Sequence, residues 1–399
     1  MKIAYVVSSL KVSMTFVVNE LDAHEKAGWQ VLPLVSCKPG PFDNFSALLV
    51  KWNKRAVFRP NIFVQAIVIL REMFTHPLRF AKVYFWLFTL LVHSPTEFVK
   101  ALYELTISCY FAGHCRRFSA EHIHVHFASR SLSLGLMTGM LTGLPVSCTV
   151  HAFDIFTRSP GSLQMRLAKC KFIAAVSQFN IEYLRNTCGN SVADLCSVVH
   201  CGIDVEKFRS VSRQPEPGRI ICVCRLYPKK GLDVAIRACV KLRSNNVKFL
   251  FEIAGDGPQR RALKELIGRL HLADNVKLLG VRPNDQLTEL YSRACVFLMP
   301  CIKTPDGDMD GIPVAMMEAM ACELPVVSTA ISGIPELVKD ELTGRLAPEK
   351  DADALAQILK ELLADMDKIE QFGKAGRERV LKDFCISKNA ARLRELIRA

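Results

Sequence analysis

Short apolar runs alternate with segments of helical periodicity along almost the whole chain of 399 residues. In the first half such runs begin at Ile3, Ile123 and Val146, and in the second half at Ile220 and Phe249. A strand that is followed by a helix before the next strand is typical of parallel sheets with helices on both faces. We therefore predict an α/β fold built from doubly wound sheets.

The length of the chain and the distribution of the apolar runs predict two domains. We place the first at residues 1–200 and the second at 220–380, joined by a polar linker at 201–219 that contains two prolines. Residues 381–399 are expected to form a basic, amphipathic C-terminal helix.

The formal net charge of +13 is concentrated in the first half of the chain. Residues 1–200 hold 20 Lys and Arg against 11 Asp and Glu, whereas the remainder holds 32 against 28. Such an excess favours phosphorylated substrates, an anionic lipid surface or nucleic acid, and it is also found in basic proteins without an anionic partner. We exclude nucleic acid, because no basic run is interleaved with stacking aromatic residues.

Fifteen cysteines are scattered along the chain without a Cys-x-x-Cys pair. This usage is typical of thiols in a reducing compartment, so we expect a cytoplasmic protein. The apolar start at residues 1–7 is short and lacks a small-residue cleavage site, which favours a first β-strand over a signal peptide.

Residues 60–112 are dense in Phe, Trp, Leu and Val, with basic residues between the apolar runs. The runs at 62–70 and 83–92 are shorter than the roughly 18–20 apolar residues that a membrane-spanning helix needs. Two interpretations remain open. The segment is either a helical insert packed on the first domain, or a pair of basic amphipathic helices at a membrane face, with Tyr84 and Trp86 at the interface.

One stretch of the second half places a strand, an acidic loop and a helix in succession. Residues 295–299 are a buried-strand candidate, and we expect the helix to begin near Ile312 because a first helical turn tolerates Pro313. The helix N-terminus would lie past the carboxyl end of a strand, where open α/β sheets bind anions. Asp310 on the loop and Glu318 in the second turn are expected to face one crevice.

Arg225 and Lys230 follow another strand of the same predicted sheet. Two cations beside a helix N-terminus suit a diphosphate, because a guanidinium binds it bidentately and an ammonium adds a compact charge. The same cations would stabilise a leaving diphosphate, while Glu318 would accept hydrogen bonds from ribose hydroxyls. Each residue alone is also explained as a surface charge, but together they indicate a nucleotide-diphosphate site.

The acidic loop begins like a calcium-binding loop, with Asp306, Asp308 and Asp310 at alternate positions. The twelfth position of such a loop should be Glu and is Met317, and Pro313 interrupts the pattern. We therefore predict no metal.

Three histidines of the first half are candidates for chemistry. His151 follows a strand, where it either contacts a reacting group or is a hydrogen-bonded structural residue. His124 and His126 alternate on one strand, and we predict that both are structural because no Cys or carboxylate stands at ligand spacing in the sequence.

The motifs of the two halves belong together. The second half contains Gly202-Ile203-Asp204-x-x-x-Phe208, Arg225-Leu226 with Lys229-Lys230-Gly231, Gly255-Asp256-Gly257-Pro258, Asp310-Gly311-Ile312-Pro313 leading to Glu318-Ala319-Met320-Ala321, and Gly333-Ile334-Pro335-Glu336-Leu337-Val338. The first half contains Ser13-x-Thr15-Phe16-Val17-x-x-Glu20, His124-x-His126-Phe127 and Thr149-x-His151-Ala152-Phe153-Asp154. This set resembles the family-4 retaining glycosyltransferases, in the branch that builds bacterial exopolysaccharides such as colanic acid.

The resemblance implies a GT-B architecture, in which two Rossmann-like domains face a central cleft and a last helix crosses back to the first domain. The second domain would hold the nucleotide-sugar donor and the first domain the acceptor. By matching positions, the donor residues would be Arg225 and Lys230 at the diphosphate, Glu318 at the ribose, and Gly311, Ile312 and Pro313 at the phosphate and sugar. The catalytic set would be His151 against the transferred sugar, with Asp310 and Glu318. The family needs no metal and no cofactor.

Two positions depart from the family pattern. Asp310 stands where the family usually has Glu, one methylene longer, and residues 8–13 replace a glycine-rich loop. The first departure bears on contact with the sugar hydroxyls, and the second on the acceptor side.

The function predicted from the sequence is a metal-independent retaining hexosyltransferase. It would move a sugar from a nucleotide-sugar to a polysaccharide or lipid-linked oligosaccharide, in the cytoplasm or peripherally on the cytoplasmic face of the inner membrane. An epimerase or phosphorylase of the same fold and a non-catalytic membrane-binding module are the alternatives.

Overall fold

The structure of the protein is a computed structural model that describes residues 1–11, 14–40, 46–93, 95–208 and 213–399. Ser13 of the first-half motif, the 12–13 part of the loop at 8–13, and residues 209–212 of the predicted linker lie outside the described residues. The chain divides into two compact units. The first unit comprises Met1–His200 with Asn389–Ala399, and the second comprises Cys201–Lys388.

A seven-stranded parallel sheet forms the centre of the first unit. Its strands are β1 (Lys2–Val7), β2 (Gln30–Val35), β3 (Val57–Phe58), β4 (His122–His126), β5 (Val146–Val150), β6 (Ile173–Ala175) and β7 (Cys196–Val198). The strand order is β3-β2-β1-β4-β5-β6-β7. The sequence pattern did not predict β3, because a two-residue strand carries no periodicity.

Ten helices of the first unit connect or cover these strands in the described residues. They are α1 (Thr15–Lys26), α2 (Ala47–Arg55), α3 (Ile62–Thr75), α4 (Pro77–His93), α5 (Pro95–Phe118), α6 (Arg130–Thr142), α7 (Phe153–Phe156), α8 (Pro160–Leu167), α9 (Gln178–Cys188) and α10 (Asn190–Ala193). Most of the described residues within 60–112 lie in α3, α4 and α5, and α3 and α4 pack against α5. Among the described residues, no helix combines the length and the apolar character that crossing a membrane requires.

A six-stranded parallel sheet forms the centre of the second unit. Its strands are β8 (Arg219–Val223), β9 (Leu250–Ala254), β10 (Val276–Gly280), β11 (Val296–Leu298), β12 (Val326–Thr329) and β13 (Gly344–Ala347). Their order is β10-β9-β8-β11-β12-β13. Within 201–219, Ile203 and Val205 are buried in the core of this unit.

The remaining helices follow the strands of the second unit. They are α11 (Leu232–Ser244), α12 (Arg260–Arg269), α13 (Asn284–Arg293), α14 (Val314–Ala321), α15 (Ile334–Leu337), α16 (Ala352–Leu363), α17 (Met366–Asp383) and α18 (Ile386–Arg398). The prediction of one continuous helix over 381–399 was wrong at one point. Ile203 bonds through its N–H to Phe384 O at 2.9 Å and through its carbonyl to Ile386 N at 3.0 Å, and this pairing interrupts the helix between α17 and α18.

The far part of α18 packs in the first unit. Leu393 and Ile397 are buried there with Ile3, Val7 and Trp29.

All fifteen cysteines are free thiols.

Candidate active site

The strand order of the second unit reverses between β8 and β11. These strands pair directly, although β9 and β10 lie between them in the chain. The carboxyl ends of strands at such a reversal are where open α/β sheets bind their ligands. The loop after β8 carries Arg225 and Lys230, and the loop after β11 carries Asp310, so the topology brings these predicted site residues to one edge of the sheet.

Lys230 and Asp310 form an ion pair across this edge. Lys230 Nζ lies 2.8 Å from Asp310 Oδ2, and only 12% and 15% of the two side chains is exposed. Burial disfavours both charges, but their mutual attraction outweighs it, so the pKa of Lys230 is raised and the pKa of Asp310 is lowered. Cys301 also approaches Asp310 Oδ2, with its Sγ at 3.6 Å. The ammonium is therefore held charged and oriented by one carboxylate.

Two glycines allow the loops to approach so closely. Gly231 has φ +64°, and a Cβ there would lie 1.8 Å from the carbonyl oxygen of Pro300. Gly255 has φ +141°, and a Cβ there would lie 1.8 Å from the carbonyl oxygen of Cys224. No L side chain fits either position. Gly231 therefore allows the Lys230 loop to lie against the loop after β11, and Gly255 allows the loop after β9 to lie against Cys224.

The helix expected near Ile312 begins later. α14 starts at Val314, and Pro313 is its N-cap residue, with φ −64° and ψ 126°. The expectation was wrong by two residues because the residue before a proline is disfavoured in the helical region, which excludes Ile312 from the first turn. Gly311, Ile312 and Pro313 are all buried and lead directly into the helix N-terminus.

Glu318 lies in the second turn of α14 and is half-buried. The hydroxyl of the buried Tyr291 donates to Glu318 Oε2 at 3.3 Å. Burial raises the pKa of Glu318 to about 7, against smaller lowering effects of the Tyr291 hydrogen bond and the charge of Lys207. This carboxyl therefore changes its protonation near neutral pH, which the sequence did not predict.

Arg225 stands apart from the ion pair. Its side chain is exposed, and its guanidinium lies 4.8 Å from the centre of the Tyr227 ring. No carboxylate of the described residues forms an ion pair with it. The structure thus places two basic side chains on one loop, one paired with Asp310 and one stacked on an aromatic ring.

The acidic loop is balanced by lysine and hydroxyl groups. Lys229 Nζ lies 3.0 Å from Asp308 Oδ1 and 3.7 Å from Asp310 Oδ1. Asp306 accepts a hydrogen bond from the hydroxyl of Thr304 at 2.5 Å. The carboxylates of this loop thus have protein partners, and the absence of a metal stays a prediction.

His151 lies in the loop directly after β5 of the first unit, as the sequence pattern predicted. It is 8% exposed, and its ring lies 4.4 Å from Phe127 and 4.9 Å from Phe16 between centroids. Burial, together with the charge of His126, holds the pKa of His151 well below its usual range. The imidazole is therefore neutral at neutral pH.

Asp154 fixes the loop that carries His151. Its carboxylate accepts hydrogen bonds from the backbone N–H groups of Ala128 at 2.8 Å, Ala152 at 2.9 Å and His151 at 3.1 Å. Asn180 donates from its side chain to the His151 carbonyl oxygen at 2.6 Å. Burial raises the pKa of Asp154, although the backbone N–H groups stabilise its charged form.

A buried chain of hydrogen bonds continues from His151. His126 Nδ1 lies 3.1 Å from His151 Nε2, and His126 Nε2 lies 3.1 Å from Glu20 Oε1. The Tyr5 hydroxyl donates to the same Glu20 oxygen at 2.8 Å and lies 2.7 Å from His24 Nε2. Burial opposes ionisation of Glu20, but the neighbouring histidines outweigh it and hold its pKa well below the usual range.

The ionised Glu20 fixes the direction of one hydrogen bond in this chain. A carboxylate only accepts hydrogen bonds, so His126 must donate from Nε2. The other nitrogen of the same ring, Nδ1, faces His151 Nε2, so Glu20 orients the imidazole that His151 contacts. The sequence motif contained Glu20 and His126, but the part of Tyr5 and His24 was missed, because only tertiary packing brings them beside β4.

Glu20, His124 and His126 are also close enough to hold one metal ion in the described residues. Each group has a hydrogen-bonding explanation. His124 Nδ1 lies 2.8 Å from Ser147 Oγ and His124 Nε2 lies 2.8 Å from Thr149 Oγ1, while both nitrogens of His126 are engaged as described. These contacts give each histidine of the cluster hydrogen-bonding partners, and the structural role of His124 and His126 stays a prediction. Its stated reason was wrong, because the Glu20 carboxylate is distant in the sequence but lies within ligand distance in the fold.

Two sequence families match the chain. Glycosyl transferases group 1 matches residues 204–379, and Glycosyltransferase Family 4 matches residues 73–207. WcaL of Salmonella typhimurium, assigned as a colanic acid biosynthesis glycosyltransferase, is 35% identical over 290 residues that cover 70% of this chain and 71% of WcaL. The chain belongs to the family-4 glycosyltransferases. The resemblance predicted from the motifs is confirmed.

A second relative of this family-4 glycosyltransferase is AmsK of Erwinia amylovora, an amylovoran biosynthesis glycosyltransferase. It is 43% identical over 194 residues, which cover 48% of each protein. The crystal structure of Anabaena HepE in complex with UDP matches with a TM-score of 0.74 at 16% identity, over 100% of this chain and 99% of HepE. The likeness confirms the predicted GT-B fold of two Rossmann-like domains, and the family makes the protein a transferase enzyme.

Proposed function

We propose that this glycosyltransferase moves a hexose, with retention of configuration, from a nucleotide-sugar to a polysaccharide or lipid-linked oligosaccharide in exopolysaccharide biosynthesis. The observation that carries the proposal is the ion pair of Lys230 with Asp310 at the strand-order reversal of the second unit. It holds an ammonium charged and oriented on the same sheet edge as the N-terminus of α14. A diphosphate is the donor group that such an edge suits best.

In this proposal Arg225 and Lys230 bind the donor diphosphate. Lys230 uses one of its three donors on Asp310 and supplies a fixed positive charge, while the exposed Arg225 swings from Tyr227 to bind bidentately. Gly311, Ile312 and Pro313 bring backbone groups to the phosphates and the sugar. Glu318 accepts from the ribose hydroxyls in its ionised form.

The reaction breaks the bond between the anomeric carbon and the diphosphate oxygen, and it forms a bond from the acceptor oxygen to the same carbon. The acceptor proton passes to the departing diphosphate, on the face from which the diphosphate leaves. Arg225 and Lys230 stabilise the charge that develops on the leaving group, so the step as proposed uses neither a metal nor a cofactor. The neutral His151 contacts the transferred sugar and accepts or donates a hydrogen bond there.

Asp310 takes a positioning part in addition to any contact with the sugar hydroxyls. Its carboxylate holds Lys230. A Glu at this position would place its carboxylate one methylene further from the backbone. The names of WcaL and AmsK support an exopolysaccharide acceptor, because both relatives are assigned to the synthesis of such polymers.

Product analysis tests this proposal. The purified chain is given uridine, guanosine or adenosine diphosphate sugars with and without an extract of lipid-linked acceptor. Acceptor-dependent release of nucleoside diphosphate, with the same anomeric configuration in donor and product, is the expected result. Free epimerised sugar without acceptor would favour an epimerase, dependence on inorganic phosphate would favour a phosphorylase, and an inverted product would refute retention.

A further inference from the structure

The helix α3 has its polar side inward. Its buried side chains are Gln65 and Glu72, at 5% and 4% exposure, whereas Phe63 and Phe74 are 78% and 77% exposed. The inward groups are satisfied, since Gln65 bonds to Thr106 at 2.6 Å and Glu72 is bound by Arg116. A helix on a protein surface in water has the opposite arrangement. The outward face of α3 is thus built for an apolar environment.

The exposed residues of α3 form a continuous stripe. Phe63, Ile67, Leu70 and Phe74 recur at the spacing of three and four residues that places side chains on one helix face. The next helix extends the apolar surface, with Leu78 82% and Phe85 75% exposed. Thirteen of the nineteen strongly exposed large apolar side chains of the described residues lie between 62 and 103. Such a concentration marks an interaction site.

The charge around this surface is positive. Arg71, Arg79 and Lys82 are exposed on α3 and α4, and Glu72 is the only acidic residue of the two helices. A groove of about 280 Å³ beside α3 is lined by Arg71, His76, Arg116 and Arg117, among others. Cations next to exposed aromatic rings suit the anionic head groups and acyl boundary of a lipid bilayer.

We infer that the outward face of α3 and α4 docks this enzyme on an anionic lipid bilayer. The helices lie in the interface with Phe63, Phe74 and Phe85 among the lipid chains, while Arg71 and Lys82 contact phosphate head groups. A second copy of the chain is disfavoured as the occupant. Both copies would carry the same basic surface and a net charge of +13, so they would repel each other. The inference goes beyond the transfer reaction, and it rests on the surface alone.

Vesicle flotation of the full chain tests the inference without donor or acceptor. The probes are phosphatidylcholine vesicles with and without phosphatidylglycerol. We expect binding only to the anionic vesicles, with loss as salt rises. The variant F63S/F74S/F85S should bind at least about tenfold more weakly, and R71A/K82A about fivefold more weakly for each cation removed.

The matched control is V281S/L342S, which removes exposed apolar side chains of the second unit and should bind as the parent does. Thermal unfolding at parental temperature shows that each variant is folded. Equal binding to neutral vesicles, no binding by the parent, or parental binding by the triple-Ser variant would overturn the inference. A dimer in light scattering that the triple-Ser variant dissolves, without vesicle binding, would assign the face to self-association instead. Failure of sugar transfer would leave the flotation result unaffected.

Discussion

Lys230 Nζ lies 2.8 Å from Asp310 Oδ2, and this contact joins the loops after β8 and β11 where the strand order of the second unit reverses. The pair is largely buried, so each charge depends on the other. Donor binding as proposed therefore depends on two residues that are far apart in the sequence and adjacent in the fold.

Asp310→Asn should destabilise the protein by about 1–3 kcal/mol, less than the 3–5 kcal/mol of a fully buried pair because both side chains are partly exposed. The pKa of Asp310 is lowered by folding, so its contribution is complete above the unfolded pKa near 4 and is lost as the pH falls further. Urea unfolding at pH 7 and pH 3 measures both. We also expect nucleoside diphosphate to reduce the deficit, since its phosphates replace the lost charge. If nucleoside diphosphate leaves the stability loss of Asp310→Asn unchanged, Lys230 does not belong to the diphosphate site.

Glu318 should make donor affinity depend on pH. Its pKa of about 7 in the free protein belongs to a carboxyl that burial keeps partly protonated, whereas ribose hydroxyls bind the ionised form. The dissociation constant of a nucleotide-sugar should rise about tenfold between pH 8 and pH 6. The ionised fraction of a carboxyl with a pKa of about 7 falls by about that factor over this range. Calorimetric titration measures it, and a nucleotide-sugar itself has no titrating proton in this range.

Two controls isolate the Glu318 effect. Glu318→Gln should flatten the pH dependence while keeping an acceptor for the ribose. A 2′,3′-dideoxy nucleotide-sugar should show weak binding that does not differ between the parent and Glu318→Gln. A pH dependence that survives Glu318→Gln would contradict the assignment.

Glu20→Gln should lower kcat about tenfold and leave the KM of the donor unchanged. The ionised Glu20 orients the ring of His126, which in turn faces His151 Nε2, while the proposed donor residues all belong to the second unit. Tyr5→Phe removes one hydrogen bond to Glu20 and should have a smaller effect. Steady-state kinetics decide between the outcomes, and an effect on the donor KM alone would count against a positioning role.

Asp154→Ala should destabilise the protein by about 2–4 kcal/mol. The substitution leaves three backbone N–H groups at Ala128, His151 and Ala152 without their acceptor, and each such loss in a buried place costs about 1–3 kcal/mol before relaxation. Asp154→Asn keeps one acceptor oxygen and should lose less. The shift in the urea midpoint at constant slope measures both variants.

Much of this architecture was predictable from periodicity. The strand expected at 295–299 was found at Val296–Leu298, and the strands before Arg225 and His151 were found because each is a short apolar run that ends in polar residues. The family motifs predicted one donor site that includes Lys230 and Asp310, and the structure brings these two residues together. Periodicity and motif were sufficient where the local sequence decides the structure.

The parts that were missed depend on tertiary contacts. The break between α17 and α18 is made by backbone pairing with Ile203, and the start of α14 is set by Ile312 preceding Pro313. The hydrogen bonds that join Tyr5, His24 and Glu20, and the burial of the polar side of α3, depend on tertiary packing that the sequence does not show. The sequence left open whether 60–112 lies against the protein or a membrane, because it does not show which side of a helix is turned inward.

Binding and turnover of a nucleotide-sugar by Lys230→Ala test the central claim most directly. Lys229→Ala is the matched control, since Lys229 is adjacent and pairs with Asp308 and Asp310. Both variants are first shown to be folded. We predict that Lys230→Ala lowers the rate of nucleoside diphosphate release about 10²–10³-fold, which is the typical effect of removing one donor that stabilises developing charge. Lys229→Ala should stay within about tenfold of the parent. Release by Lys230→Ala at the parental rate would contradict the account.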